Sequence, residues 1–281
     1  MGETAFLNGD ILPIAQARIS INDRGFLFGD GVYEVLRTYA GRLWALEPHL
    51  ERLARSLKGI DLQGPTMAEV RLRIEEVYRR SELPDAQIYL QITRGVAPRA
   101  HAFPAAVQPT FLITVRPAQG PTAEERERGA RIITVPETRW ARCDIKSVNL
   151  LPNILAKQQA KTAGAFEAVF VRSDGLVTEG SSTSLFAVKA GRLLTREEGP
   201  HILSGITRRI VLNIALERKM PVRECPFSLD DLLRADEVFL TGTTTEIMPV
   251  VSVNDACIGA GVPGPVSRLL YEAFRRRVAE Q

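Results

Sequence analysis

Two prolines and one glycine fall within Arg116-Pro117-Ala118-Gln119-Gly120-Pro121, and strand-like patterns lie on both sides of that stretch. Proline removes a backbone donor and fixes φ, so regular structure is expected to stop here. The break divides 281 residues into two parts, each long enough to enclose a core. The expectation is a smaller α/β domain over 1–117, a linker over 118–121 and a larger domain over 122–281.

Within the first part, Asn8-Gly9 sits between apolar residues and predicts a tight hairpin. The glycine-punctuated run from Asp23 to Gly31 reads as a loop that feeds a strand, with Tyr33 near its start. Leu50, Leu53, Leu57 and Ile60 recur at spacings of three and four, which predicts a helix from about Pro48. His49, Arg52 and Lys58 lie off that stripe. Thr66 with Glu69 three residues on marks a second helix start, with Met67, Val70, Ile74 and Val77 on its apolar face. Ile88, Leu90 and Ile92 alternate with Tyr89, Gln91 and Thr93, as in a half-buried strand, and Phe111 to Val115 reads as another.

The second part repeats this mixture. Strands are expected at Arg131–Val135, Phe166–Val171, Ser184–Val188 and Val238–Thr241. Helices are expected from Pro152 to before Gly164, along Ile206, Ile210, Val211 and Ile214, briefly after Ser228, and from Pro265. The last helix is expected to face inward through Val266, Leu269, Leu270, Ala273 and Phe274. Strands and helices interspersed in both halves give an α/β or α+β class.

Composition narrows the function classes. Hydrophobic residues make up 45% and charged residues 25%, as in ordinary globular chains, and a net charge of +3 argues against a dedicated nucleic-acid surface. Arg275-Arg276-Arg277 is read as a solvated helix face. Three widely spaced cysteines, Cys143, Cys225 and Cys257, suggest neither a disulfide framework nor a metal site. No secretory signal or membrane-spanning run is read, so a cytoplasmic chain is expected.

Several stretches carry candidate chemistry. Lys146 lies in Arg142-Cys143-Asp144-Ile145-Lys146-Ser147, and a lysine amine becomes a useful nucleophile when its pKa falls or its imine is held in place. Taken alone, it reads as a solvated surface lysine, as most lysines are. Gly205-Ile206-Thr207 opens a helix and Gly242-Thr243-Thr244-Thr245 follows a strand. Both suit a phosphate, and both suit an ordinary cap or turn. Arg52 is a further candidate donor to phosphate or a surface arginine. Glu179, ahead of Gly180, is either an exposed turn glutamate or a carboxylate aimed at a pyridine nitrogen. Arg99 and His101, two apart in a loop, share a side of an extended backbone and with Tyr33 suit a carboxylate; alone they read as a solvated basic loop.

Together these segments resemble the branched-chain and D-amino-acid aminotransferase superfamily, the fold-type IV pyridoxal-phosphate enzymes, over nearly the whole chain. The resemblance rests on Asp23-Arg24-Gly25, Phe28-Gly29-Asp30-Gly31-Val32-Tyr33-Glu34, Thr93-Arg94-Gly95 and Pro98-Arg99-Ala100-His101. It continues through Arg142 to Ser147, Thr178-Glu179-Gly180-Ser181-Ser182, Gly205-Ile206-Thr207-Arg208 and Thr243-Thr244. Within the superfamily the likeness is greatest to the D-specific members. The resemblance implies a two-domain fold whose larger domain binds pyridoxal 5'-phosphate. Lys146 would form the Schiff base and, as a free amine, shuttle a proton between Cα and the cofactor's C4′. Glu179 would pair with the ring nitrogen, and Arg52, Ile206, Thr207, Thr243 and Thr244 would hold the phosphate. Ser181 and Ser182 would support the cofactor's surroundings, and Leu203 would pack on its ring. Tyr33, Arg99 and His101 would trap the substrate carboxylate, the last two reaching in from the neighbouring subunit of a homodimer.

The implied reaction is D-alanine with 2-oxoglutarate to pyruvate and D-glutamate. The alternatives on the same fold are a branched-chain L-aminotransferase, an (R)-amine transaminase and an aminodeoxychorismate lyase; the Pro-Arg-Ala-His loop counts against these. A non-catalytic binding protein has no need of both Lys146 and Glu179. Gly242 departs from the pattern, because D-specific members often carry serine there, and one cofactor contact is left open by it.

Overall fold

The computed structural model describes residues 2–280. By its contacts the chain divides into two compact units. The first runs up to Gln119 and takes in Ile145–Asn149, and the second comprises Gly120–Asp144 and the chain from Leu150 onward. The lysine segment therefore packs as part of the first unit, 25 residues beyond the start of the second.

In the first unit, β1 (Thr4–Leu7) and β2 (Asp10–Pro13) form the expected hairpin, with Asn8 and Gly9 at φ 51° and 117°. Asn and Gly tolerate these left-handed conformations, which suit the twist of a two-residue turn. After α1 (Arg24–Phe28) come β3 (Gly31–Tyr39), β4 (Arg42–Leu43), α2 (Leu46–Gly59), α3 (Met67–Ser81), β5 (Ala86–Thr93) and β6 (Thr110–Pro117). The strands make an antiparallel sheet in the order β2-β1-β6-β5-β3-β4. Its buried face carries Val32, Leu36, Ile88, Leu90, Ile92 and Ile113. These pack in one core with Leu50, Leu53 and Leu57 of α2 and Val70, Ile74 and Val77 of α3. Thr66 caps α3 by accepting the Glu69 amide, as its sequence predicts.

Two readings of this half need correction. The Asp23–Gly31 run contains a helix, because Asp23 accepts the Gly25 amide as an N-cap and Gly29 closes the turn at φ 67°. His49 and Arg52 lie off the leucine stripe yet are buried, at 1% and 4% exposure. Glu34 on the buried face of β3 supplies the reason, since it binds both.

The second unit contains α4 (Ala123–Arg128), β7 (Ala130–Pro136), α5 (Leu151–Thr162), β8 (Glu167–Val171), β9 (Val177–Gly180), β10 (Ser184–Lys189) and β11 (Arg192–Thr195). It continues with α6 (Ile206–Glu217), β12 (Val222–Glu224), α7 (Leu229–Leu233), β13 (Glu237–Gly242), β14 (Glu246–Val253), β15 (Ala256–Cys257) and α8 (Pro265–Glu280). Among the described residues the strands form a mixed sheet in the order β12-β11-β10-β13-β14-β7-β8-β9, with β15 paired to β14. The β11–β12, β14–β7 and β7–β8 pairs are parallel. Ala156 and Ala160 of α5 pack against Val135, Ala168 and Phe170, and a larger core gathers Val169, Leu185, Leu232, Val238, Leu240, Met248 and Val250.

Capping boxes start α4 at Thr122 and α7 at Ser228. In α8 the inward face is shifted from the expected one: Ser267, Leu270, Ala273, Phe274 and Val278 are buried, whereas Leu269 is 39% exposed. The arginine run is more than a solvated face, because Arg275 pairs with the buried Glu246 and Arg277 with Glu217. Among the described residues no helix is long and apolar enough to cross a membrane.

Candidate active site

Lys146 is held through its backbone. Its carbonyl accepts the Tyr33 amide at 3.0 Å, its amide donates to Ser56 Oγ at 3.2 Å, and Ser147 bridges antiparallel to Val32. The lysine segment thus docks as a short extension beside β3. Asn149 secures its far end by donating to the Gly29 carbonyl at 3.1 Å. The ammonium lies 4.2 Å from the centre of the Tyr33 ring, a cation–π contact that directs the side chain over the half-buried face of the sheet. On that face Tyr33 stacks on Tyr89, whose hydroxyl donates to Gln91 Oε1 at 2.6 Å. Burial, with Tyr33 nearby, pushes the Tyr89 phenol up to about 12.

Behind this face Glu34 receives Nε and Nη2 of Arg52 at 2.7 and 2.8 Å and lies 2.8 Å from His49 Nδ1. Burial alone would raise the Glu34 pKa. The Arg52 guanidinium and His49 outweigh it and hold the carboxyl well below its usual range. His49 is itself pushed below its ordinary value by burial, against the attraction of Glu34.

Arg99 and His101 are exposed, but their loop is anchored. Arg24 donates to the carbonyls of Ala100 and His101 at 2.5 and 3.2 Å, and Asp30 Oδ2 accepts both Arg24 Nε and Arg94 Nε at 2.8 Å. Arg99 and His101 both pack on Phe28, at 5.3 and 5.7 Å between group centres. Among the described residues neither pairs with a carboxylate. Gly95, at φ 98°, starts the loop where a Cβ would fall 1.9 Å from the Gln108 carbonyl oxygen. The Asp23-Arg24-Gly25 and Asp30 motif is therefore the footing of the Arg–His loop.

In the second unit Glu179 stands on β9, 6% exposed, rather than in a turn. Its Oε1 receives Arg139 Nη1 at 2.6 Å, and both of its oxygens lie 3.1 Å from the Leu203 amide. Burial pushes this carboxyl above its ordinary range, against the pull of Arg139 and of that amide. The next three side chains turn back on a buried base. Glu167 accepts the hydroxyls of Ser181, Ser182 and Thr183 at 2.5, 2.9 and 3.1 Å, so these groups fix the turn that follows Glu179.

Helix α6 begins at Gly205 with no side-chain cap, and Ile206 and Thr207 in its first turn are each 4% exposed. The first amides of a helix have no partners within it, which makes a buried, uncapped start a ready anion site. Thr243 and Thr244 lie in the turn between β13 and β14, which Arg126 braces through the carbonyls of Thr245 and Ile247 at 2.8 and 2.6 Å. A Cβ at Gly242 would meet Thr245 and Thr183 at 3.4 and 3.6 Å, so the turn has room for the serine that this chain lacks.

The sequence profile described as Amino-transferase class IV matches residues 31–253. The chain belongs to the class IV aminotransferases. A D-alanine aminotransferase of Bacillus licheniformis is 41% identical over 98% of this chain and 96% of its own length. One from Staphylococcus haemolyticus is 39% identical over 97% of each chain. Among solved structures, the branched-chain amino acid aminotransferase of Escherichia coli superposes with a TM-score of 0.92 at 27% identity, covering 98% of this chain and 94% of that one. The T.th. branched-chain amino acid aminotransferase with pyridoxamine 5'-phosphate gives 0.91 at 29% identity, over 99% and 94% of the two chains.

As a class IV aminotransferase the chain carries residues that pattern reading passed over: Ser56, Glu137, Arg139 and Glu167, and Arg24 is read there only as part of a motif, with no role assigned. Glu137 and Arg139 alternate after β7, and such a short charged pair carries no signal of what it will meet. The cofactor of this family, pyridoxal phosphate, needs an amine, an acidic group for its ring nitrogen and donors for its phosphate. The donor set here fits it, with a buried carboxyl at Glu179, an uncapped helix start at Gly205 and a buried Thr207.

Proposed function

We propose that this class IV aminotransferase transfers the amino group of D-alanine to 2-oxoglutarate, as a homodimer whose Arg99 and His101 serve the neighbouring copy. The observation that carries the reading is the anchored Arg99/His101 pair on a chain 38–41% identical to D-alanine aminotransferases over nearly its whole length. An anchored, exposed pair of nitrogen-bearing side chains without a carboxylate of its own is suited to an anion supplied by a substrate.

In this reading Lys146 is the amine that carries pyridoxal phosphate and then removes the proton from the substrate's Cα. The backbone bonds to Tyr33 and Ser56 fix the lysine segment beside β3. When bound, the cofactor supplies a carbonyl carbon for the amine and a ring that accepts the electrons left when the Cα–H bond breaks. Glu179 keeps a proton on the partner ring nitrogen. The Ile206 and Thr207 amides, Thr243, Thr244 and Arg52 hold the phosphate, with Glu34 aiming Arg52. Ser181 and Ser182 keep the turn after Glu179 in place through Glu167, and Leu203 adds its amide to Glu179 and its side chain to the ring's surroundings. Tyr33, Arg99 and His101 bind the carboxylate in one orientation, which presents one Cα–H bond for removal and selects the D over the L substrate.

Mixing two inactive chains tests the reading. Lys146→Ala and Arg99→Ala are each expected to lose D-alanine transamination, the first by several orders of magnitude. Refolded together, they are expected to regain activity, because one site of the hybrid dimer has an intact lysine and an intact trap. If the mixture stays inactive while each chain dimerises, the crossed trap is wrong. If wild-type protein turns over L-leucine in place of D-alanine, the substrate assignment is wrong.

A further inference from the structure

Glu179 does not stand alone in the second unit. Arg139 donates Nη1 to Glu179 Oε1 at 2.6 Å, and Nε and Nη2 to the two oxygens of Glu137 at 2.9 and 2.7 Å. Its Nη2 also reaches Thr178 Oγ1 at 3.2 Å and the His201 carbonyl at 3.3 Å. The guanidinium lies 4.3 Å from the ring centre of the buried Phe170 and its side chain is 5% exposed. Thr178 closes the other side by donating to Glu137 Oε2 at 2.9 Å. We propose that Arg139, clamped by Glu137, is a positioning residue that sets the direction and the charge of Glu179. This rests on Glu179 being the partner of the ring nitrogen.

The argument is one of charge count. Two carboxyl groups share one guanidinium, so with both ionised the cluster carries one negative charge in excess. A buried carboxylate with half a partner is unfavourable by itself, and a protonated ring nitrogen completes the balance. Without Arg139 two adjacent carboxylates would repel, and Glu179 would take up a proton and lose its hold on a cationic ring. Without Glu137 the guanidinium would turn fully to Glu179 and strengthen its negative charge. Opposite effects from the two neighbours are the mark of an electrostatic role, because a purely structural role has no sign. Among the described residues, further charged or titratable groups near this cluster include Cys143 with Asp144 beside it, His201 with Arg172 and Asp174 around it, and Arg196, which donates to the Val177 carbonyl at the start of β9.

The test compares Arg139→Gln, Arg139→Lys and Glu137→Gln as full-length, cofactor-loaded protein. The readouts are the pH dependence of the visible cofactor band, the dissociation constant for pyridoxal phosphate, and kcat and KM for D-alanine. Arg139→Gln is expected to move the acid-side midpoint of the band up by about 1–3 pH units. It should also weaken cofactor binding and lower kcat about 10- to 100-fold, with KM nearly constant. Arg139→Lys is expected to recover part of each effect, and Glu137→Gln is expected to move the midpoint down. A folded Arg139→Gln chain with the wild-type midpoint and cofactor affinity overturns the proposal. If that chain does not fold, equal midpoints in Arg139→Lys, Glu137→Gln and wild type overturn it instead. A wild-type chain that shows no visible band with pyridoxal phosphate refutes the function itself, a separate outcome from either.

Discussion

Glu34 in the first unit and Glu179 in the second are both buried glutamates that face an arginine, yet their carboxyls shift in opposite directions. Burial raises both. Glu34 has Arg52 in two-point contact and His49 on its second oxygen, so its charge is balanced within the fold. Glu179 has one arm of an arginine that is shared with Glu137, plus one backbone amide. The number and exclusiveness of the donors, rather than depth, separate a carboxylate that braces a fold from one left receptive to a further cation. The first pattern orients Arg52 rigidly, and the second suits a group that must gain and lose a partner.

Disrupting the balanced pair should do the most harm. Arg52→Ala leaves Glu34 buried beside His49 alone and should destabilise the chain by about 3–5 kcal/mol in denaturant unfolding, as buried ion pairs do when one partner is removed. Arg139→Gln should lose clearly less, because Glu179 escapes by protonation. Equal losses in the two variants would erase the distinction.

Acid separates the two glutamates further. Glu34 has a folded pKa below its unfolded one, so the unfolded chain binds more protons between the two, and stability is lost as pH falls below the ordinary carboxylate range. His49 is also lowered in the fold, so it adds a loss as pH falls below 6.5. Glu179 is raised, so the folded chain holds the extra proton, and its contribution is lost as pH rises above 4.5. Melting curves of cofactor-free protein should therefore show Glu34→Gln flattening the acid limb. Glu179→Gln should flatten the decline on the other side, and matching profiles would contradict the assignment.

Smaller effects probe the surroundings. Gly95→Ala forces a side chain toward the Gln108 carbonyl at a left-handed φ and should cost about 1–3 kcal/mol. It should also raise KM for D-alanine more than it lowers kcat, since the loop it disturbs carries Arg99 and His101. Thr66→Ala removes the N-cap of α3, a helix that carries none of the proposed site residues, and should cost about 1 kcal/mol with kinetics unchanged. A loss of activity in that control would mean that stability alone explains the other variants.

Features that depend on near neighbours were legible in the residue order. Asn8-Gly9 set a hairpin, Thr66 with Glu69 set the start of α3, and the Leu50-Leu53-Leu57 stripe set which side of α2 meets the core. The motif residues likewise marked the family, because Lys146, Glu179 and the Arg99/His101 loop stand in order along one chain. The partners of the buried charges emerged only in the folded chain. Alternation could place Glu34 on the inner face of β3, but not reveal that α2 would bring His49 and Arg52 to it from 15 and 18 residues away. Nor could it show that Glu179 lies in a strand, or that Arg139, 40 residues earlier, divides its charge between two carboxylates. Periodicity and capping act over a few residues and are written in local order. The pairing of buried charges depends on which segments the fold brings face to face, and on how many donors each carboxylate then has to share.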